Sequence, residues 1–260
     1  MDRTVPNIGY EDKTWSASSG MQFALAPSWF GSVAAGYENS DIKVDNRASA
    51  TGHIVHIGAG AKYISGNWQI SSALTGGHAS YDVTRRDVMP GVNATGDQSL
   101  SFLSGRVRAA YVFGSENAYV KPLVDVDAVG ILRGGILENG AGPVGLNVHR
   151  QTDTLFSVAP GVEVGGQFAY ANGTLLRPFV RSGVRVFSEN ELTATASFIG
   201  SPAGVPGFTV TTPLDRWMGE VSTGLEVLSS DVYDARISYD GRYGENIIQH
   251  GGNVKLRAKF

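Results

Sequence analysis

The chain has 260 residues, 34 of them glycine, no cysteine, and a formal net charge of −3. Charged residues make up 17%, against about 25% in an ordinary soluble domain, and the mean hydropathy is −0.07. The charge excludes a strongly basic nucleic-acid binder. The missing cysteines exclude disulfides and thiolate metal sites. No stretch approaches the roughly 20 apolar residues of a transmembrane helix.

Helical periodicity is almost absent. Two-residue alternation recurs instead, and this is the mark of strands with one apolar and one polar face. The pattern predicts strands near 14–25, 29–44, 50–64, 67–84, 98–113, 118–134, 147–170, 174–197, 208–229, 232–243 and 246–260. Gly66-Asn67 and Asn172-Gly173 carry the chemistry of hairpin turns. Short turns are expected near 26–28, 65–67, 114–117, 171–173 and 230–231. Longer Gly/Pro/Asn-rich connections are expected near 45–50, 85–97, 135–146 and 198–207. Short turns at one end and long loops at the other are what an up-and-down outer-membrane barrel has.

Aromatic residues gather at the short-turn ends: Trp29, Phe30, Tyr63, Trp68, Tyr111, Phe113, Tyr119, Phe168, Tyr170 and Tyr233. Rings at headgroup level form a girdle in membrane barrels.

The polar faces collect charge of both signs. Residues 98–113 set Arg106 and Arg108 against Leu103, Val107, Ala109 and Tyr111. Residues 118–134 set Lys121, Asp125 and Asp127 against Val120, Val124, Val126 and Ala128. Arg177, Arg181 and Arg185 share a face on 174–197, as do Glu220 and Glu226 on 208–229, and Arg236 and Asp240 on 232–243. Glu163 joins this polar set. Several apolar faces are continuous over nearly twenty residues, too long for an ordinary strand of about 5–6. That length turns the apolar face outward to lipid and the charged face inward to a lumen.

The last strand alternates Val254, Leu256, Ala258 and Phe260 against Asn253, Lys255, Arg257 and Lys259. A one-residue slip would place Lys255 and Arg257 in lipid at roughly 2–4 kcal/mol each, so register is fixed.

Other signals are weak. Gly140 to Gly145 fits GxGxxG, but a strand follows it and Pro143 interrupts it, so it reads as a flexible loop. Asp125 and Asp127 could serve acid–base chemistry, yet Arg106 and Arg108 on the adjacent strand are the better partners. His53 and His56 are three apart on a strand, hence on opposite faces, which argues against a shared metal.

Gly20 to Tyr37, Leu175 to Phe187, Glu191 to Phe208, Tyr239 to Gly244 and Val254 to Phe260 together resemble the autotransporter β-domain, the translocator of type V secretion. The resemblance implies an all-β, antiparallel, up-and-down transmembrane barrel of twelve strands in the intact domain. It implies a Gram-negative outer membrane, with the C-terminus periplasmic and the longer loops extracellular. It also implies anchoring and export of the chain's own N-terminal passenger. The implied partners are outer-membrane lipid, the barrel assembly machinery and periplasmic chaperones, with Val254, Leu256, Ala258 and Phe260 as the C-terminal assembly signal. No cofactor, metal, nucleic acid or catalytic residue belongs to that role. The competing readings are a porin-like channel or surface adhesin barrel without a passenger and, further off, an outer-membrane hydrolase.

Two features of the family are not matched in these residues: the helix that precedes and plugs the barrel, and a Trp-bearing first strand. Counted back from Phe260, the eleven strands leave residues 1–13 on the external side. Residues 1–260 are therefore expected to form a single barrel domain lacking its first strand and preceding helix.

Overall fold

A computed structural model describes residues 9–45, 47–115, 117–169, 174–228 and 233–258. Eleven long strands follow one another: β1 (Tyr10–Ala26), β2 (Trp29–Val44), β3 (Ala48–Ser65), β4 (Trp68–Met89), β5 (Val92–Tyr111), β6 (Ala118–Arg133), β7 (Gln151–Gly166), β8 (Leu175–Phe187), β9 (Trp217–Leu228), β10 (Tyr233–Tyr243) and β11 (Ile248–Ala258). They form one antiparallel sheet in chain order, without a crossover. Among the described residues, β1 and β11 each pair on one side only.

Register carries each face around the sheet. Ser32, Gly60, Ala73, Arg106, Asp127, Ser157 and Phe187 stand opposite one another in a row across β2–β8. The next row, displaced by one residue, holds Gly31, Ala61, Ser72, Val107, Val126 and Val158. The sheet curls towards the first face. Lys62 on β3 feels the charges of Lys121 on β6 and Arg257 on β11.

Burial is inverted relative to a soluble protein. Ile57 is 70% exposed and Ile237 62%, whereas Asp125 is 3% exposed and Arg185 4%. An apolar shell around a charged interior suits lipid outside and water within. No helix among the described residues is long and apolar enough to cross a membrane.

Several sequence expectations need correction. The segment 85–97 is not a long loop. β4 runs to Met89, β5 starts at Val92, and only Pro90 and Gly91 intervene. Pro90 supplies a fixed φ and Gly91 takes φ 73°, the combination a type II turn requires. The 45–50 segment likewise shortens to Asp45–Arg47. The alternation of short and long connections therefore holds only in the second half of the chain. The segment 85–97 reads as a loop because Pro90, Gly91, Asn93 and Gly96 are turn residues, yet strand pairing continues through Arg85–Ala94 and Met89–Val92.

The predicted strand 174–197 breaks at Ser188–Asn190, and 208–229 breaks at Leu214–Arg216. The detached parts Glu191–Phe198 and Phe208–Pro213 join Leu146–Val148 and Ile136–Leu137 in a second, four-stranded sheet. The strand expected at 147–170 gives its first residues to this outer sheet in the same way. Gly142–Val144, inside the GxGxxG segment, is a single 3-10 turn.

Trp29 and Tyr63 pack at 4.8 Å, Trp68 and Tyr111 at 5.0 Å, and Tyr111 and Phe113 at 4.6 Å. These rings lie on the apolar face. Phe30 and Tyr119 do not belong with them, because their register positions are on the concave face opposite Lys62 and Gly165. Tyr170, the Asn172-Gly173 turn, Ser230-Asp231, Lys259 and Phe260 lie outside the described residues.

Candidate functional site: the charged concave wall

Strand parity puts the charged side chains of β5–β10, Asp97 excepted, on the concave face, and antiparallel pairing sets opposite signs side by side. Arg108 donates from Nε to Asp125 Oδ1 at 2.5 Å and from Nη2 to Oδ2 at 2.7 Å. This is the planar fork that arginine offers a carboxylate. Arg106 Nε donates to Asp127 Oδ1 at 2.5 Å.

Arg185 is the hub. Its Nη1 donates to Asp127 and, at 2.8 Å, to Ser157 Oγ. Its Nε donates to Glu220 Oε1 at 2.6 Å, and Arg242 Nε approaches the same oxygen at 3.0 Å. Arg106, Asp127, Arg185, Glu220 and Arg242 thus form one chain of alternating charge from β5 to β10. At least one partner on each side satisfies every buried charge, as the desolvation penalty demands.

Nearer the short turns, Glu163 accepts from Lys121 and from Arg181 Nη2 at 2.6 Å. Tyr119 donates its hydroxyl to the same carboxylate at 3.0 Å. Arg177 donates to Gln167 Oε1 at 2.6 Å and stands opposite Glu226 in register. Glu226 in turn stands opposite Arg236, whose guanidinium lies 4.3 Å from the centre of the Phe179 ring. Asp240 accepts from Ser222 Oγ at 2.5 Å. On β11, Val254, Leu256 and Ala258 occupy the apolar face opposite Ile237, Ala235 and Tyr233.

A cavity of about 310 Å³ runs along this wall between Arg106, Arg108, Arg181, Arg185, Glu220 and Arg242. His53 stacks on Tyr37 outside, while His56 faces Glu38 inside at 3.6 Å. Among the described residues no group of His, Asp and Glu could hold a metal ion. The wall binds and orders charge.

Some members were missed from sequence. Arg242 follows by parity from Asp240. The Arg85–Glu138 pair does not, since Glu138 sits in a connection read as irregular. Arg85 donates to it from Nε at 2.9 Å and from Nη2 at 2.6 Å, and the Leu146 amide donates at 2.7 Å. Burial alone would raise the Glu138 carboxyl. The Arg85 guanidinium and the Leu146 amide outweigh burial and hold it below the usual carboxylate range.

The family model of the autotransporter beta-domain matches residues 2–240. The chain belongs to the autotransporter β-domain family. The translocator domain of the autotransporter NalP from Neisseria meningitidis has the same fold, with a TM-score of 0.78 and 12% identity over 96% of this chain and 82% of that one. The β-domain of the Bordetella autotransporter BrkA follows with a TM-score of 0.66 and 14% identity over 95% of this chain and 90% of the other. No curated protein matches the sequence. The two structures speak for the fold; the family carries the role. This autotransporter β-domain is an outer-membrane translocator for the export of an attached passenger. Translocator domains of this family are typically not enzymes.

Proposed function

We propose that the passenger crosses through the space between the charged wall of β5–β10 and the concave face of β1–β4. The single observation carrying this reading is the inverted burial: carboxylates and guanidinium groups are sequestered behind exposed apolar side chains. Such a wall keeps an aqueous path open inside lipid, and the paired charges midway along it present no strong unpaired trap to a sliding chain. We further assign the short turns to the periplasmic side and the linked outer connections to the cell exterior. One further strand of the same polypeptide closes the sheet between β1 and β11, because a barrel in lipid tolerates no open edge. The run Val254, Leu256, Ala258 and Phe260 serves as the signal read by the barrel assembly machinery, with periplasmic chaperones delivering the chain.

The export reading is tested by fusing a reporter N-terminal to this domain and adding protease to intact cells. Cleavage of the reporter is the expected result, and a protected reporter with a folded, heat-modifiable barrel would sink the proposal. The assembly signal is tested by comparing Phe260→Asp with Lys259→Asp. Outer-membrane yield should fall more for Phe260, and equal loss would remove the facial argument.

A further inference from the structure

The cations of the concave face are not evenly placed along the barrel. Midway along the strands they are matched: Arg106, Arg108, Arg185 and Arg242 meet Asp125, Asp127 and Glu220. The short-turn end is different. Lys62 is three residues before the end of β3, Arg177 two after the start of β8, Arg236 three after the start of β10, and Lys255 three before the end of β11. None of these four has a carboxylate within 4.0 Å among the described residues, and Arg236 is satisfied only by the face of Phe179. Among the described residues, Glu226 is the one carboxylate at this end with no cation within that distance. The other described charges there are paired: Lys121 and Arg181 share Glu163, and Arg257 lies 3.5 Å from Asp234. Lys121 on β6, Arg257 on β11 and Glu226 on β9 each act electrostatically on Lys62 of β3. Strand parity puts all four on the concave face, each within a few residues of a short turn.

The opposite end has the reverse balance. Asp12, Glu38 and Asp153 face inward there, with Arg133 bonded to Asp153 and Arg85 consumed by Glu138. Potential thus falls along the interior from the short-turn mouth to the outer one, and low-dielectric walls focus such a field.

We propose that the short-turn mouth is an anion-binding ring whose ligand is an acidic stretch of extended polypeptide. The inference rests on the reading of the interior as the passenger's path. Carboxylates spaced along an extended chain would meet Lys62, Arg177, Arg236 and Lys255 in turn. An acidic stretch would therefore be recruited and held at the entrance, while a basic stretch would be repelled there and drawn outward.

The test uses the full chain folded in detergent and a fluorescent ten-residue oligoglutamate, followed by anisotropy. Oligoglutamate should bind, and its affinity should fall about tenfold between 50 and 300 mM salt, as expected for exposed charges. The triple variant Lys62→Gln/Arg236→Gln/Lys255→Gln should weaken binding about tenfold or more. Lys13→Gln/Lys43→Gln, on the outer surface, should leave it unchanged. Heat-modifiable migration checks that each variant is folded. Equal binding of oligolysine, no binding of oligoglutamate, or an unchanged affinity in the triple variant would overturn the inference. Reporter export by the unaltered domain is measured alongside. Normal export without oligoglutamate binding removes only the ring, whereas absent export removes the translocation path as well.

Discussion

The two halves of the sheet share an apolar exterior and differ inside. At mid-height on β1–β4 the inward positions are Gly20, Ala34, Gly58 and Thr75 in one row, and Ser32, Gly60 and Ala73 in the next. Continuing those rows onto β5–β8 brings Ser104 and Val129, then Arg106, Asp127 and Ser157. One wall is nearly bare backbone; the other is filled with long charged side chains. A barrel of this size cannot afford bulk on both walls and still admit a polypeptide. The charged half therefore supplies hydration and stiffness, and the bare half supplies room.

The comparison breaks most visibly at Arg185. Replacing it with Leu takes a partner from Asp127, Ser157 and Glu220 at once and leaves only Arg106 and Arg242 at the two ends, and loss of one member of a buried charge network costs about 3–5 kcal/mol. The thermal unfolding midpoint should fall steeply, and the heat-modifiable band should weaken. A near-neutral Arg185→Leu would mean that water already satisfies this wall.

The bare wall predicts a different phenotype. Ala34→Trp should fold and insert but cut reporter export several-fold, because it occupies the space opposite the charged network. Ala35→Trp, facing lipid on the same strand, should export normally. Equal export by the two would deny that the β1–β4 face matters to passage.

A smaller effect is expected at Arg85–Glu138, which ties the outer sheet to the wall. The Glu138 carboxyl is depressed in the folded state, so its contribution is present above the unfolded value of about 4.3 and is lost as pH falls through the lower folded value. Acidification from pH 6 to pH 3 should lower the protection of the Leu146 amide, taken as its exchange rate relative to the intrinsic rate at each pH. Glu138→Gln should abolish that pH response while costing about 1–2 kcal/mol locally. Protection that ignores pH in both proteins would remove the latch.

The smallest effect belongs to Lys13 and Glu11, bridged at 3.1 Å on the exposed surface of β1. Lys13→Ala should shift stability by less than about 0.5 kcal/mol. A larger loss would indicate that this edge is covered in the assembled protein.

Much of this was readable because a strand's two-residue period assigns each side chain to a face from its position alone. The faces of Asp125, Asp127, Arg181 and Arg185 needed no tertiary information. Hairpin topology then gave the adjacent-strand pairs Arg108–Asp125 and Glu163–Arg181, though not the reach of Arg185 across β7 to Asp127. Alternation could not reveal where a continuous run leaves one sheet for another. Leu175–Phe187 and Glu191–Phe198 share a β-like composition, and only the partner at Leu146–Val148 separates them. Nor could it identify the mate of Glu138, since the bond to Arg85 spans 53 positions and joins a strand to an irregular connection. Asp215 shows the same limit. Its oxygens accept from the Asn246 amide at 2.9 Å and the Ile247 amide at 2.8 Å, a contact that depends on how two distant connections meet.

The outer sheet has a consequence for how this surface can change over generations. The connections after β6 and β8 are strands of one sheet, and the connection after β10 is pinned to the second of them through Asp215. A residue inserted into any of the three must be accommodated by the others. Among the described residues, Asp45, Arg47, Pro90 and Gly91 make no backbone hydrogen bond to that sheet. Epitope tags and natural length variation should therefore be admitted first at those two hairpin tips, while the larger and more exposed segments 134–150 and 188–216 stay constant in length.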